Sequence, residues 1–241
     1  MNYIKGIKLN KMPQLSSYLY GLPVIQYLNK CEVLKFNAPV TFFVGENGTG
    51  KSTLIEAIAA ASGMNPEGGS RDHSFSTVNT CSGLEELITL VRTVSPKDAF
   101  FLRAESFYNM ASYLDDTNLM LRYGGVSFHR QSHGESFLAL IQNRFEGRGL
   151  YILDEPEAAL SPKKLMSLLT IIDDLVKRDS QFIIATHSPI LTAYPDSEIL
   201  QFSDDGIVKT DYFETEHYKL TKMFIDNPER MIHYLIDTDE S

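Results

Sequence analysis

The run Phe42–Thr53, FFVGENGTGKST, constrains this chain more than any other, because Gly45 and Gly50-Lys51-Ser52 stand at the G-x-x-x-x-G-K-S spacing of a phosphate-binding loop. Such a loop works only between a strand and a helix. The flanks fit: Pro39 to Val44 is apolar and β-prone, and Thr53 to Ala61 is helix-forming. An α/β fold that binds a nucleoside triphosphate is therefore expected. The glycines Gly45, Gly48 and Gly50 let the backbone turn tightly and, with Glu46, Asn47 and Thr49, present N–H donors to phosphate oxygens. Lys51 neutralises charge on the terminal phosphates, Ser52 supplies a hydroxyl for Mg2+, and Thr53 continues into the helix.

The 241 residues, 43% hydrophobic and 22% charged, suffice for one or at most two closely joined globular domains. A formal charge of −9 argues against gripping nucleic acid through bulk electrostatics, while leaving a local basic face open. Cys31 and Cys81 lie far apart without C-x-x-C spacing, so both read as reduced and structural. No apolar run reaches the length of a membrane span, and the opening MNYIKGIKLNKMPQL lacks the apolar centre of a secretory signal. The expectation is a cytoplasmic protein without direct membrane insertion.

Residues 1–44 read as short strands forming an N-terminal β layer, with Tyr3–Leu9 and Cys31–Phe36 the clearest, and Tyr18, Tyr20 and Tyr27 as its aromatics. One of the three could stack on adenine. Residues 64–83 are rich in Gly, Ser and Asn and read as a loop whose Arg71 and His73 either reach a ligand or are solvated. Leu84–Arg92 has a helical pattern, Ala99–Leu102 reads as a buried strand, and Glu105–Leu121 as a helix. Gly149–Leu153 and Gln181–Ala185 are apolar strands joined by the helical period of Pro162–Lys177, a βαβ unit that predicts a parallel sheet. The end of the chain, Thr215–Ile236, carries an apolar helical stripe broken near Asn227-Pro228. It reads as a helical cap or as a partner-docking surface.

GLYILDEP, Gly149–Pro156, delivers Asp154 and Glu155 to the C-terminal edge of that sheet, where ligands bind in open α/β folds. Asp154 is the expected Mg2+ partner, and Glu155 is placed to polarise an attacking water. FIIATHSP ends a neighbouring strand with His187, an imidazole in reach of a γ-phosphate or that water. The alternative for His187 is a structural role.

Upstream lies QSHGESFL, Gln131–Leu138, and here the chain resembles the ATP-binding-cassette (ABC) ATPases. Their L-S-G-G-Q signature is matched by Ser132, Gly134 and Glu135, with Gln131 in the place of the leading leucine and His133 in that of the first glycine. The order of phosphate loop, signature, carboxylates, D-loop (Ala158–Ser161) and switch histidine is likewise similar over nearly the whole chain. The resemblance implies a P-loop NTPase fold: an ABC-like mixed sheet with flanking helices, an N-terminal β layer and a helical signature subdomain. It assigns 1–63 and 149–212 to the nucleotide core, 64–148 to the signature subdomain and 213–241 to a C-terminal cap, all in a single domain spanning 1–241. It also implies ATP and Mg2+ as ligands, and two ATPs sandwiched in a homodimer whose signature, Ser132 with Gly134, meets the partner's γ-phosphate.

Within the family, transporter cassettes carry a glutamine between loop and signature, and none occurs between Lys51 and Gln131. Glu105 either stands in for it or is a helix-start acid favoured by the dipole. The D-loop ends Leu160-Ser161, and LKFNAPVTFFVGENGTGKST resembles DNA-repair and chromosome-associated ABC ATPases, without their coiled coil. Three roles are expected in order: an ATP-hydrolysing dimerisation switch serving a nucleic-acid transaction or an unidentified effector protein, a transporter's ATP-binding subunit, and an ATP-gated binding module.

Overall fold

In the computed structural model the described residues are 2–66, 68–69, 82–107 and 132–236. Three apolar runs become the interior of the main sheet: β3 (Val40–Gly45), β6 (Gly149–Asp154) and β7 (Gln181–Ala185), every residue of which is buried. Parallel strands covered on both faces bury both sets of side chains, so these runs show no polar alternation. With β5 (Asp98–Arg103), β8 (Glu198–Ser203) and β9 (Gly206–Thr210) they form a six-stranded sheet in the order β5-β6-β7-β3-β8-β9. Neighbours are parallel except β8 and β9, which run antiparallel. Ala185 lies opposite both Phe43 and Asp154, so three strand ends meet at one edge.

The two faces of the sheet feed two cores. Phe43, Ile152 and Ile183 pack with Leu54, Ile55 and Ile58 of α2 (Lys51–Ala61). Phe42, Tyr151 and Phe182 pack on the other side with α3 (His133–Arg144) and with Leu165, Leu168 and Ile172 of α4 (Pro162–Lys177). The expected strand–helix–strand unit is thus present as β6-α4-β7. α3 is fastened to the sheet edge through Asp98, which takes Arg144 at 2.8 Å and the Tyr151 hydroxyl at 2.8 Å.

A second, antiparallel sheet covers the α2 side, in the order β2-β1-β4, from β1 (Ile4–Leu9), β2 (Leu34–Lys35) and β4 (Ile88–Arg92). Gln181 joins the two sheets like a short strand of its own. Its Oε1 accepts from the N–H groups of Tyr3 and Ile4 at 2.7 and 2.9 Å, and its Nε2 donates to the Ile4 carbonyl at 2.8 Å. A fully buried amide is tolerable because its hydrogen-bonding atoms are matched.

Three expectations change. Leu84–Arg92 is not a helix: a turn at Leu84–Glu86 leads into β4, whose Ile88 and Leu90 face inward while Thr89 and Val91 face out, the period of a strand with β1 beside it. The stretch 1–44 is not strands alone, because a 3-10 turn, Tyr18–Gly21, and α1 (Pro23–Lys30) lie between β1 and β2. Pro23 at the first turn favours a helix start, and Val24, Ile25 and Leu28 bury one face. Tyr18, Tyr20 and Tyr27 therefore sit on helical segments and not in a β layer, with Tyr27 packed against Gly206.

Downstream of β9, α5 (Pro189–Thr192) having followed β7, the chain ends in α6 (Glu216–Asp226) and α7 (Pro228–Ile236), broken at Asn227 as expected. Neither helix buries a residue, and Leu220, Phe224, Ile225, Ile232 and Leu235 are exposed. Among the described residues no helix is long and apolar enough to cross a membrane. Cys31 carries a free thiol. Arg71, His73, Cys81, Gln131 and most of the expected helix 105–121 lie outside the described residues.

Candidate functional site

The phosphate loop hangs between β3 and α2, and two of its glycines are required by neighbours as much as by any ligand. Gly45 has φ 131°, and a Cβ there would lie 2.1 Å from the Phe202 carbonyl oxygen of β8. Gly50 has φ 94°, and its Cβ would meet Val24 of α1 at 2.4 Å. Lys51 begins α2, is 4% exposed, and donates from Nζ to the Gly45 and Glu46 carbonyls, each at 2.7 Å. Thr49 Oγ1 donates to the Glu46 carbonyl at 2.9 Å, closing the turn. The loop encloses a cavity of about 140 Å3 lined by Asn47, Gly48, Ser52 and Thr53, with Leu22 and Glu155 facing them. Burial pulls the Lys51 pKa down while the carboxylates of Glu155, Glu46 and Asp154 oppose the shift.

Ser52 and Asp154, far apart in sequence, come together at this edge, Ser52 Oγ donating to Asp154 Oδ1 at 3.4 Å. A hydroxyl and a carboxylate are hard oxygen donors, which suits Mg2+ sharing its shell with phosphate oxygens and water. Among the described residues no group of three or more His, Cys, Asp or Glu is arranged to hold a metal, so the nucleotide would have to complete the shell. Arg103, at the end of β5, lies beside the same carboxylate, Nε to Asp154 Oδ2 at 3.3 Å, and also pairs with Glu56 at 3.4 Å and Glu105 at 3.1 Å. Burial pushes the Asp154 pKa up to about 6, with Arg103 pulling it back and Glu155 adding to the rise. Glu105 is largely exposed and reaches Asp154 only through Arg103.

Glu155 leaves the end of β6 with φ 48° and ψ 51°, a left-handed conformation uncommon for a residue with a side chain. This turn swings its carboxylate towards His187, whose Nε2 lies 3.7 Å from Glu155 Oε1. The histidine is positioned by Glu157, a residue the sequence did not single out. Glu157 accepts from Thr186 Oγ1 at 2.7 Å and from the His187 backbone N–H, and its own pKa is raised by burial. Its position inside the D-loop run EAALSP was the available signal, but no spacing rule ties that acid to a residue 30 positions on. Burial, then Lys51 and His217, lower the His187 pKa, which favours a neutral ring at pH 7.

Ser132, Gly134 and Glu135 lie at the start of α3, and none of them lines the loop's cavity. Ser132 and Glu135 close on each other as a capping box: Ser132 Oγ donates to Glu135 Oε2 at 2.6 Å and the Ser132 N–H to the same oxygen at 3.0 Å. Lys164 of α4 donates to Ser132 Oγ at 3.1 Å. Gly134 packs against the D-loop, where a Cβ would lie 2.9 Å from the Ala159 carbonyl oxygen. The structure thus gathers Gly45 to Thr53, Asp154, Glu155 and His187 in one place, and sets the signature residues against the D-loop and α4.

A family model described as "AAA domain" matches residues 24–103, and a second, described as "AAA domain, putative AbiEii toxin, Type IV TA system", matches residues 122–193. The DNA repair protein RAD50 of Drosophila melanogaster is 36% identical over 67 residues, 27% of this chain and 5% of that protein. The chain therefore spans a small fraction of that relative's length. Among solved structures, cbiO1 from Clostridium perfringens, part of an ABC transporter complex, aligns over 98% of this chain and 99% of its own with a TM-score of 0.52 and 18% identity. The SMC head domain from Thermotoga maritima aligns over 87% of this chain and 100% of its own at a TM-score of 0.47 and 15% identity. AAA-domain models thus match two separate stretches of the chain, and its fold is shared with cbiO1, part of an ABC transporter complex.

Proposed function

We propose that this chain binds Mg-ATP and hydrolyses it, and that ATP drives two copies into a head-to-tail dimer serving a nucleic-acid transaction or an effector protein. The observation that carries the reading is the convergence, at one sheet edge, of Lys51, Ser52, Asp154, Glu155 and His187 from three adjacent strands. Lys51 and the loop N–H groups hold the phosphates, with Lys51 exchanging two carbonyl partners for phosphate oxygens. Ser52 and Asp154 would hold Mg2+, which supplies charge neutralisation on the transferring phosphoryl group.

Glu155 orients the attacking water and accepts its proton, and His187 steadies the other side of the same space. Dimerisation is supported by the resemblance of Ser132 and Gly134 to the ABC signature, which implies that they meet a partner's nucleotide, and by neither residue lining the cavity of its own loop. The nucleic-acid role rests on the resemblance to a DNA repair protein over 67 residues and stays as narrow as that overlap.

The test is the solution mass of Glu155→Gln with and without Mg-ATP, by light scattering on a sizing column, beside phosphate release by the unaltered protein. A doubling of mass with Mg-ATP, together with phosphate release that the variant lacks, is the expected result. A variant that binds ATP yet stays monomeric would overturn the dimer, and phosphate release equal in both proteins would overturn the role of Glu155.

A further inference from the structure

His187 has a second imidazole against it. Its Nδ1 lies 3.1 Å from Nε2 of His217, with the rings edge to face at 4.9 Å between centroids and 70° between planes. His217 stands in the first turn of α6, and that turn is pinned: Thr215, 2% exposed, donates from Oγ1 to the Tyr212 carbonyl at 2.8 Å and accepts the Lys219 N–H at 3.1 Å through its own carbonyl. The ring is held in place by its helix.

A neutral imidazole carries one N–H, so in a pair of neutral rings one must donate and the other accept. Two arrangements exist. If His187 donated through Nδ1, its Nε2 would carry a lone pair facing the Glu155 carboxylate and the phosphates held by the loop, with acceptors on both sides. If His217 donates, Nε2 of His187 carries the proton and points it at those acceptors. The other groups acting on the His187 ring are Lys51 and Glu46, and Glu157 takes its backbone N–H. None of these supplies a donor to Nδ1. Only the arrangement in which His217 donates turns an N–H of His187 towards the Glu155 carboxylate.

We propose that His217 is a positioning residue for His187: by donating its Nε2–H to His187 Nδ1, it fixes the tautomer in which His187 presents Nε2–H to the γ-phosphate and Glu155. This rests on the reading of His187 given above as a group that faces the reacting phosphate. It also ties the state of that histidine to α6, whose Tyr218, Thr221 and Ile225 wall a cavity of about 870 Å3 shared with α4 and His187. A shift of α6 away from the sheet removes the donor and frees the ring to take either tautomer.

The experiment uses the full chain with 15N-labelled histidine and three substitutions. Nitrogen NMR of the nucleotide-free protein should show His187 with Nε2 protonated and Nδ1 accepting a hydrogen bond, and that bond should vanish in His217→Ala. In turnover, His217→Ala should lower kcat about three- to tenfold with KM for ATP within about twofold, as expected for losing one net hydrogen bond. His217→Gln, whose amide N–H can donate from the same place, should recover most of that loss. His217→Glu can only accept, draws the proton to Nδ1, and should fall below His217→Ala.

A His187 Nδ1 resonance unchanged in His217→Ala, or His217→Glu as active as His217→Gln, would overturn the proposal. If the unaltered protein shows the expected tautomer but releases no phosphate, the ATPase reading fails while the pairing stands. If it turns over normally and the tautomer is absent, the pairing fails alone.

Discussion

The loop half of the site and the signature half are built differently, although both belong to one chain. The loop half rests on strands buried along their full length, and its key atoms already hold partners at 2.7 to 3.7 Å. The signature half is a helix start whose serine is engaged by its own Glu135 and by Lys164. Preorganisation is worth most where charge develops during reaction, and in the loop half Lys51 has two neutral carbonyl partners to exchange for charged phosphate oxygens. Ser132 must first release bonds it already makes. Under the proposed function, the first half would capture ATP in the monomer and the second would engage only when a partner offered Ser132 something better than Glu135.

Substitutions can break this division at three points. Glu155→Gln should lower kcat by about two to four orders of magnitude while leaving ATP binding intact, measured by phosphate release and by fluorescent-nucleotide titration. Ser132→Arg should lower turnover by about two to three orders, the scale of losing a donor to a developing charge. Its ATP affinity should stay within about threefold, and an equal loss of binding and turnover would erase the distinction between the halves. Lys51→Ala should weaken ATP binding by about 10- to 100-fold through loss of charge-assisted hydrogen bonds, and calorimetry showing retained affinity would remove the loop assignment.

The smallest effect concerns pH. With the Asp154 pKa raised to about 6, a proton competes with the cation below that value. Apparent Mg2+ affinity in the presence of ATP should fall about tenfold per unit below pH 6 and level off above it. The same titration has the opposite sign for folding without metal. The folded state holds the proton more tightly than the unfolded state, so Asp154 makes the metal-free protein less stable as pH rises from the ordinary carboxylate value through about 6. Chemical melts at pH 5 and pH 7 with Asp154→Asn as reference would read this contribution.

Much of the loop half was legible because its elements follow strong patterns. The βαβ unit was found to the residue at Pro162–Lys177 and Gln181–Ala185, where period and apolar content agree. Leu84–Arg92 was misread because Leu84, Leu87, Ile88 and Val91 match helical spacing as well as any helix, and only the pairing of β4 with β1 selects the strand period. α1 was hidden inside a stretch of turn signals. Glu157 and His217 were illegible for another reason: Glu157 meets Thr186 and His187, and His217 meets His187, each about 30 positions away, and no local spacing encodes that. The bonds between Ser132 and Glu135 belong to a capping motif that reads equally well as an ordinary helix start.

The close approach of Gly45 to Phe202 has a consequence in the time of synthesis. The strand leading into the phosphate loop is flanked by β7 and β8, both made long after it, and Gly45 takes its shape against the Phe202 carbonyl. At about 5–20 residues per second, roughly 8–30 s separate the two residues on the ribosome. During that interval the nascent chain carries the complete motif without the strands that shape it, and Phe42, Phe43 and Val44 lack the sheet neighbours that bury them. The loop thus takes its shape late in synthesis, and a chain truncated before β8 would keep the motif while losing its fold.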